Sequence, residues 1–262
     1  PRALGSRQRF GVLKLNYDLL IDLHKGNKRQ GPGGDEQTKQ ALALSGLSRT
    51  KPSLVADVGC GTGCSTLVLA ENLNASIVAV DLFEDFLLVL SEGARKRGLG
   101  NKIKTLVCTM EDLPFEESSL DAIWAEGAIY NMGFEKGVDY FKRFLKPGGI
   151  LAASEITWLT EDRPEEVQRH WDAEYPEIAT VSDKVKILEH HGYSLKGYFP
   201  LPSSSWLDNY YLPLESAFAG FLFKHNSDDA RAIVEAERLE IALYRRYSAY
   251  YSYGFYIAQK VD

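Results

Sequence analysis

The chain has 262 residues, of which 45% are hydrophobic and 25% are charged, and its net charge at pH 7 is −6. This is ordinary globular usage, and a chain of this length buries a sizeable core. The negative charge argues against an extended basic face for nucleic acid, and no apolar run approaches the roughly 20 residues that span a bilayer.

The chain contains three cysteines, Cys60, Cys64 and Cys108, and an odd number does not form a disulfide framework. The small, odd number of cysteines indicates a reducing compartment. The basic segment 1–9 lacks the apolar core of a secretory signal. We therefore expect a cytoplasmic protein. No Cys or His cluster has a ligand spacing, so we expect no metal site.

Apolar periodicity, taken in chain order, predicts alternating strands and helices after an N-terminal arm, residues 1–34. The predicted strands lie near 54–58, 77–81, 103–108, 121–126 and 150–157. The predicted helices lie near 36–46, 64–72, 85–97 and 134–144. This alternation indicates a mostly parallel sheet with helices on both faces and ligands at the carboxyl ends of the strands.

The alternation breaks after residue 157, where an irregular insertion with Pro164 and Pro176 runs to residue 180. Later elements are predicted as helices at 182–191, 214–224 and 228–250, with strands at 194–199 and 253–260. The adjacent His190 and His191 lie at the C-terminal end of the first of these helices. Imidazole is favourable there because of the helix dipole, and this explains the two histidines better than a metal site does. We expect one domain over 35–262, with substrate-side insertions at about 158–181 and 200–250.

Residues 55–63, Val-Ala-Asp-Val-Gly-Cys-Gly-Thr-Gly, are typical of a strand that enters a glycine-rich turn before a helix. The glycines follow the spacing G-x-G-x-G, whereas dinucleotide-binding proteins use G-x-G-x-x-G. The Lys-Ser/Thr pair of a P-loop is missing. Asp57 places a negative charge before the turn, which would repel a phosphate and suit a cation such as the amino group and sulfonium of S-adenosylmethionine.

This segment resembles motif I of the class I S-adenosylmethionine-dependent methyltransferases. Four later segments resemble further motifs of that family in the right order: Asp81, 110–115, 121–126 and 145–149. The resemblance implies a Rossmann-like, doubly wound sheet of seven strands, with an antiparallel last strand inserted beside the fifth. The arrangement looks most like the small-molecule group that includes ubiquinone/menaquinone and sarcosine-type methyltransferases.

The resemblance also implies a cofactor site. Its residues would be Gln30, Asp57, Gly59, Cys60, Gly61, Gly63, Asp81, Leu82, Met110, Glu111 and Glu126. Asp81 would bind both ribose hydroxyls, and Asp57 the amino end of the cofactor. The sequence departs from the family near Thr109, where many relatives have an aspartate for the adenine amino group, and either Glu111 or a backbone carbonyl would substitute. Tyr17, Gln30 and the glycine turn of the arm are further expected contacts with methionine.

Glu126 and Tyr130 are the predicted catalytic residues, because the loop after the fourth strand faces the transferred methyl group in the family. Glu126 would bind a substrate amine, act as a base, or hold the loop through backbone amides, since a buried carboxylate needs a partner. Asn131 and Glu155 occupy comparable positions. Aromatic residues are dense in the insertions, where they either pack a helical lid or enclose a substrate: Trp158, Trp171, Tyr175, Trp206, Tyr210, Tyr211, Tyr250 and Tyr251.

The predicted function is methyl transfer from S-adenosylmethionine to a small molecule by in-line displacement, with S-adenosylhomocysteine as the product. Two alternatives remain open: a non-catalytic S-adenosylmethionine-binding module, and a methyltransferase that acts on protein or RNA. We expect neither nucleic acid nor a membrane as a partner, and a homodimer is left open. The methyl acceptor cannot be read from the sequence.

Overall fold

A computed structural model describes residues 17–261, in which eight strands form one sheet. The strands are β1 Ser53–Val58, β2 Ala75–Asp81, β3 Ile103–Val107, β4 Leu120–Glu126, β5 Leu145–Trp158, β6 Ala179–Thr180, β7 Tyr193–Pro200 and β8 Tyr251–Lys260. Their order is β3-β2-β1-β4-β5-β8-β7, and the short β6 pairs with the end of β5. Strand β8 runs antiparallel to both of its neighbours. The predicted mixed sheet is therefore confirmed, with β6 as an additional short strand.

The helices of the described chain are α1 Tyr17–His24, α2 Asp35–Ser45, α3 Cys64–Asn72, α4 Glu84–Lys96, α5 Phe134–Lys142, α6 Glu165–Glu174, α7 Val181–His190, α8 Ser203–Trp206, α9 Leu212–His225 and α10 Asp228–Tyr247. A 3-10 turn, Ile129–Asn131, follows β4, and a π-helical turn, Leu207–Tyr211, joins α8 to α9. No helix within 17–261 combines the length and apolar character needed to cross a bilayer.

The central strands are buried on both faces, and successive residues point into two different cores. In β4, Ala122 and Trp124 join a core with helices α2, α6, α9 and α10, whereas Ile123 and Ala125 join a core with α5 and α7. Packing on both faces leaves the carboxyl ends of β1, β2 and β4 side by side at one edge of the sheet.

The region after β5 is more regular than the sequence indicates. The segment predicted as an irregular insertion over 158–180 contains the ten-residue helix α6, and the unassigned residues 203–211 are helical. Val167 and Trp171 on α6 enter the first core, which explains why this short polar helix is stable here. Tertiary burial, rather than a strong apolar period, forms these helices.

Candidate functional site

The turn between β1 and α3 is built on three glycines with left-handed backbone conformations. The φ angles of Gly59, Gly61 and Gly63 are +71°, +56° and +86°. L-residues avoid this region, and added Cβ atoms would also overlap Ala128, Gln30 and Leu90 respectively. The turn therefore has no side chains at these positions, and its backbone lies directly beside a cavity.

Asp81 lies at the end of β2, next to this turn. Its Oδ2 accepts a hydrogen bond from the Gly61 N–H at 2.8 Å, and its Oδ1 accepts one from the Phe83 N–H at 3.0 Å. Burial raises the pKa of this carboxyl group above its ordinary value. The side chain lines the cavity, and two backbone donors fix its orientation.

Asp57 lies behind the turn rather than in the wall of the cavity. Its Oδ2 accepts hydrogen bonds from the hydroxyl groups of Ser65 at 2.8 Å and Thr66 at 2.6 Å, at the start of α3. Its Oδ1 is buried and has no hydrogen-bond partner among the described residues. Burial raises the pKa of Asp57 to about 7. The observed role of Asp57 is to fix α3 against β1, and a contact with a cofactor amino group stays a prediction.

The described part of the N-terminal arm reaches the glycine turn through Gln30. The Oε1 atom accepts hydrogen bonds from the Thr62 N–H at 2.9 Å and the Thr62 hydroxyl at 3.0 Å. The Nε2 atom donates to the backbone carbonyls of His24 and Asn27. Gln30 therefore joins the arm to the turn, while Tyr17 lies further along the same cavity wall. Residues 1–16 of the predicted arm lie outside the described residues.

Glu126 occupies the end of β4, and both of its carboxylate oxygens are bound. Oε1 accepts hydrogen bonds from the Thr38 hydroxyl at 2.7 Å and the Trp124 indole at 2.8 Å. Oε2 pairs with Arg29 Nη1 at 3.2 Å, and the side chains of this ion pair are each 8% exposed. Arg29 also donates to Asp35 at the start of α2. Glu126 thus connects the arm, α2 and β4 through side chains rather than through loop amides.

A shallow end of the cavity follows β2 and β3. Leu82 is half exposed there, and Met110 and Thr109 line the opposite side. Glu111 also lines this end but forms an ion pair with Lys136 at 2.7 Å. This end of the cavity therefore combines apolar side chains with polar ones.

The deep end of the cavity follows β4. Tyr130 in the 3-10 turn lies edge-on to Tyr175, with ring centroids 6.2 Å apart. Burial, followed by the charge of Glu155, raises the pKa of Tyr130 far above its ordinary value, so the phenol stays neutral. Asn131 holds the turn by donating to the Ala128 carbonyl.

One cavity of about 680 Å³ joins these parts. Its wall includes both predicted catalytic residues and all the predicted cofactor residues except two. The exceptions are Asp57, which lies behind the turn, and Gly63, which ends the turn against Leu90. Of the aromatic residues predicted for the insertions, Tyr175 and Tyr210 line the cavity. Tyr210 also belongs to the first core, against which Tyr250 packs. The other members of that core among them are Trp158, Trp171, Trp206, Tyr211 and Tyr251.

Sequence reasoning missed Arg29 and His24, which also line the cavity. Each is a lone polar residue in the arm without a motif around it. Only the fold brings Arg29 to the end of β4 and His24 to a stacked position on Tyr210. Burial lowers the pKa of His24 to about 4, so Arg29 is the one permanent cation among the described lining residues.

Comparison with known proteins agrees with this geometry. Residues 56–153 match the family described as "Methyltransferase domain". The chain is 30% identical over 171 residues to erythromycin 3''-O-methyltransferase of Saccharopolyspora erythraea, covering 58% of this chain and 54% of the relative. It is also 30% identical over 152 residues to a demethylmenaquinone methyltransferase of Bacteroides fragilis, covering 57% and 56%. The match thus spans about half the length of these curated relatives.

Solved structures extend the likeness to the whole fold. A methyltransferase from Geobacter sulfurreducens, solved with S-adenosylhomocysteine, superposes with a TM-score of 0.80 at 16% identity, covering 92% of this chain and 97% of that one. A putative sarcosine dimethylglycine methyltransferase from Galdieria sulphuraria gives a TM-score of 0.68 at 19% identity, covering 87% and 85%. Residues 56–153 therefore match the methyltransferase-domain family, and the predicted resemblance of the chain to the class I S-adenosylmethionine-dependent methyltransferases is confirmed.

Proposed function

We propose that this protein transfers a methyl group from S-adenosylmethionine to a small-molecule acceptor. The observation that carries the proposal is the single cavity, which runs from the glycine turn and Asp81 to the loop after β4. In a doubly wound sheet, this edge is where ligands bind. The match to the methyltransferase domain supports the same conclusion.

The residues of the cavity fit this cofactor. The bare backbone of the glycine turn allows close approach of a ligand, as in nucleotide-binding turns. The Asp81 carboxylate lines the cavity and can accept hydrogen bonds from ribose hydroxyls, because its two oxygens offer about four lone pairs and backbone donors hold the group in place. Leu82 and Met110 offer apolar surfaces to an adenine ring, and Arg29 offers a cation to the amino-acid carboxylate.

When bound, S-adenosylmethionine supplies a methyl group that is already activated by its positively charged sulfur. The protein has to orient the acceptor and exclude water, because positioning removes much of the barrier. Tyr130, Tyr175 and Tyr210 line the acceptor end with aromatic rings. Glu126 holds the floor of this end through Arg29, Thr38 and Trp124, and in our proposal it positions the site rather than accepting a proton.

The two alternative functions, a protein or RNA methyltransferase and a non-catalytic binding module, require a different shape of the acceptor end. A protein or RNA substrate requires an extended open groove, whereas the acceptor end is a cavity lined by residues 174–177 and Tyr210 of the insertions. A non-catalytic module does not need an acceptor chamber at all. We further propose that residues 1–34 form the arm and residues 35–262 the methyltransferase domain, and that the protein is either a monomer or a homodimer. We also propose a cytoplasmic location, which the free thiols of the three cysteines support.

Two measurements test the proposal. Calorimetry should detect binding of S-adenosylhomocysteine and no binding of NAD. Incubation with S-adenosylmethionine labelled in its methyl group and a cell extract should then label the fraction of small molecules. Label in the protein or RNA fraction would favour the alternative substrates. Binding of the cofactor without any transfer, from an extract of broad composition, would favour the non-catalytic module.

A further inference from the structure

A fully buried ion pair lies directly behind the acceptor end of the cavity. Lys184 on α7 pairs with Glu155 on β5 at 3.3 Å, and their side chains are 1% and 0% exposed. Buried charges are costly even when paired, and lysine is almost never fully buried. Neither residue lines the cavity, so the pair does not touch a ligand there directly.

The Lys184 ammonium contacts the segment that forms the cavity wall, residues 174–177. It donates to the Glu177 backbone carbonyl at 2.9 Å. It also lies over two aromatic rings, at 4.4 Å from the Phe134 centroid and 5.6 Å from the Tyr175 centroid. Cation–π contacts of this kind strengthen when the cation is desolvated. One ammonium therefore joins β5, the start of α5 and the wall segment.

The wall segment has a second attachment at the same place. The Glu177 carboxylate accepts a hydrogen bond from the Phe134 N–H at 3.0 Å, at the N-terminus of α5, where an anion is favourable. The Tyr175 hydroxyl and Glu155 Oε2 are both buried, and the Tyr175 hydroxyl interacts with the Glu155 carboxylate through a side-chain hydrogen bond and through charge. The ring of Tyr175 in turn meets Tyr130 across the acceptor end.

We infer that Lys184 and Glu155 are positioning residues that set the shape of the acceptor site through Tyr175 and Glu177. The inference rests on the proposed function, because it assigns residues 174–177 to the acceptor wall. Loss of the ammonium should release this segment and weaken acceptor binding. The glycine turn and Asp81 lie on other strands and do not contact the pair, so cofactor binding should be unaffected.

Lys184→Met tests the inference because methionine keeps the apolar stem and removes the charge. Lys186→Met is the matched control, since Lys186 lies on the same helix, is 74% exposed and pairs only with Asp183 among the described residues. In Lys184→Met, hydrogen exchange at the amides of Phe134 and Ile178, which are bonded to Glu177 and Tyr175, should accelerate by about tenfold or more. The control should exchange like the wild type.

The functional readout uses labelled S-adenosylmethionine and a filtered metabolite extract as the acceptor probe. The extract concentration that gives half-maximal transfer should rise about tenfold in Lys184→Met, while the dissociation constant of S-adenosylhomocysteine changes less than twofold. An unpaired Glu155 should also give transfer a new pH dependence, because its pKa is already raised by burial and loses a nearby cation. The double variant Lys184→Met/Glu155→Gln should lack that pH dependence.

Wild-type exchange at both amides in a folded Lys184→Met protein would overturn the inference, as would an unchanged half-maximal concentration. If Lys184→Met does not fold, the double variant carries the same exchange test, because it leaves no unpaired buried charge. If the wild-type protein transfers no label at all, the proposed function fails. The exchange comparison would then still decide whether Lys184 holds the wall segment.

Discussion

Glu126→Gln distinguishes a positioning carboxylate from a reacting one. The substitution keeps the size of the side chain, and the amide oxygen can still accept from Thr38 and Trp124. The NH₂ group of the glutamine would then face the Arg29 guanidinium, so that two hydrogen-bond donors oppose each other. This site is buried, since the side chains of Arg29 and Glu126 are each only 8% exposed. Arg29 keeps Asp35 as its other partner, so the guanidinium is not left alone.

The loss is that of one charge-assisted hydrogen bond in a buried setting, about 2 kcal/mol of unfolding free energy. For a chain of this size, that corresponds to a fall in Tm of about 4–8 °C. Differential scanning calorimetry at pH 7.5 measures it, with Glu117→Gln as the control. Glu117 is 75% exposed and pairs with Arg143 at 3.4 Å, so its substitution should shift Tm by less than about 1 °C. An unchanged Tm in Glu126→Gln together with lost methyl transfer would refute the bracing role and indicate direct chemistry.

Three further predictions concern the cofactor end. Asp57→Asn should raise Tm at pH 8 and have little effect near pH 4. With its pKa raised to about 7, the Asp57 carboxyl group keeps its proton in the folded state at pH values where the unfolded state has lost it. The wild type therefore loses stability as pH rises from about 4 to 7, and the neutral amide of the variant does not. Melting curves across that range check this, and parallel curves for both proteins would contradict it. Gly61→Ala should reduce both stability and cofactor affinity more than Gly98→Ala, since both glycines have positive φ but only Gly61 would meet Gln30; equal effects on calorimetric affinity would count against contact at this turn. Asp81→Asn should weaken S-adenosylhomocysteine binding by about 1.5–3 kcal/mol while keeping an acceptor for a backbone N–H; unchanged affinity would place the ribose contact elsewhere.

The local signals in this sequence were strong where the backbone itself limits the choice of residue. The turn at 59–63 needs glycine because its φ angles are positive, so the G-x-G-x-G spacing predicted both the turn and the end of β1. The buried strands needed continuous apolar runs, so the sheet and its antiparallel last strand followed from pattern and resemblance. Asp81 was recognisable because its position depends only on the end of β2.

Partnerships between distant residues were decided by the tertiary structure. Nothing local marks Arg29 as the partner of Glu126, which is 97 positions away, or Lys184 as the partner of Glu155. The sequence predicts a cofactor contact for Asp57, which stays a prediction, but it does not indicate that Asp57 binds the hydroxyl groups of Ser65 and Thr66. Helix α6 forms because Val167 and Trp171 find a core, although the segment reads as irregular. Sequence thus determined the elements whose conformation is set by their own residues. The fold alone determined where buried charges and hydroxyl groups find partners, because that depends on which chain segments the core brings together.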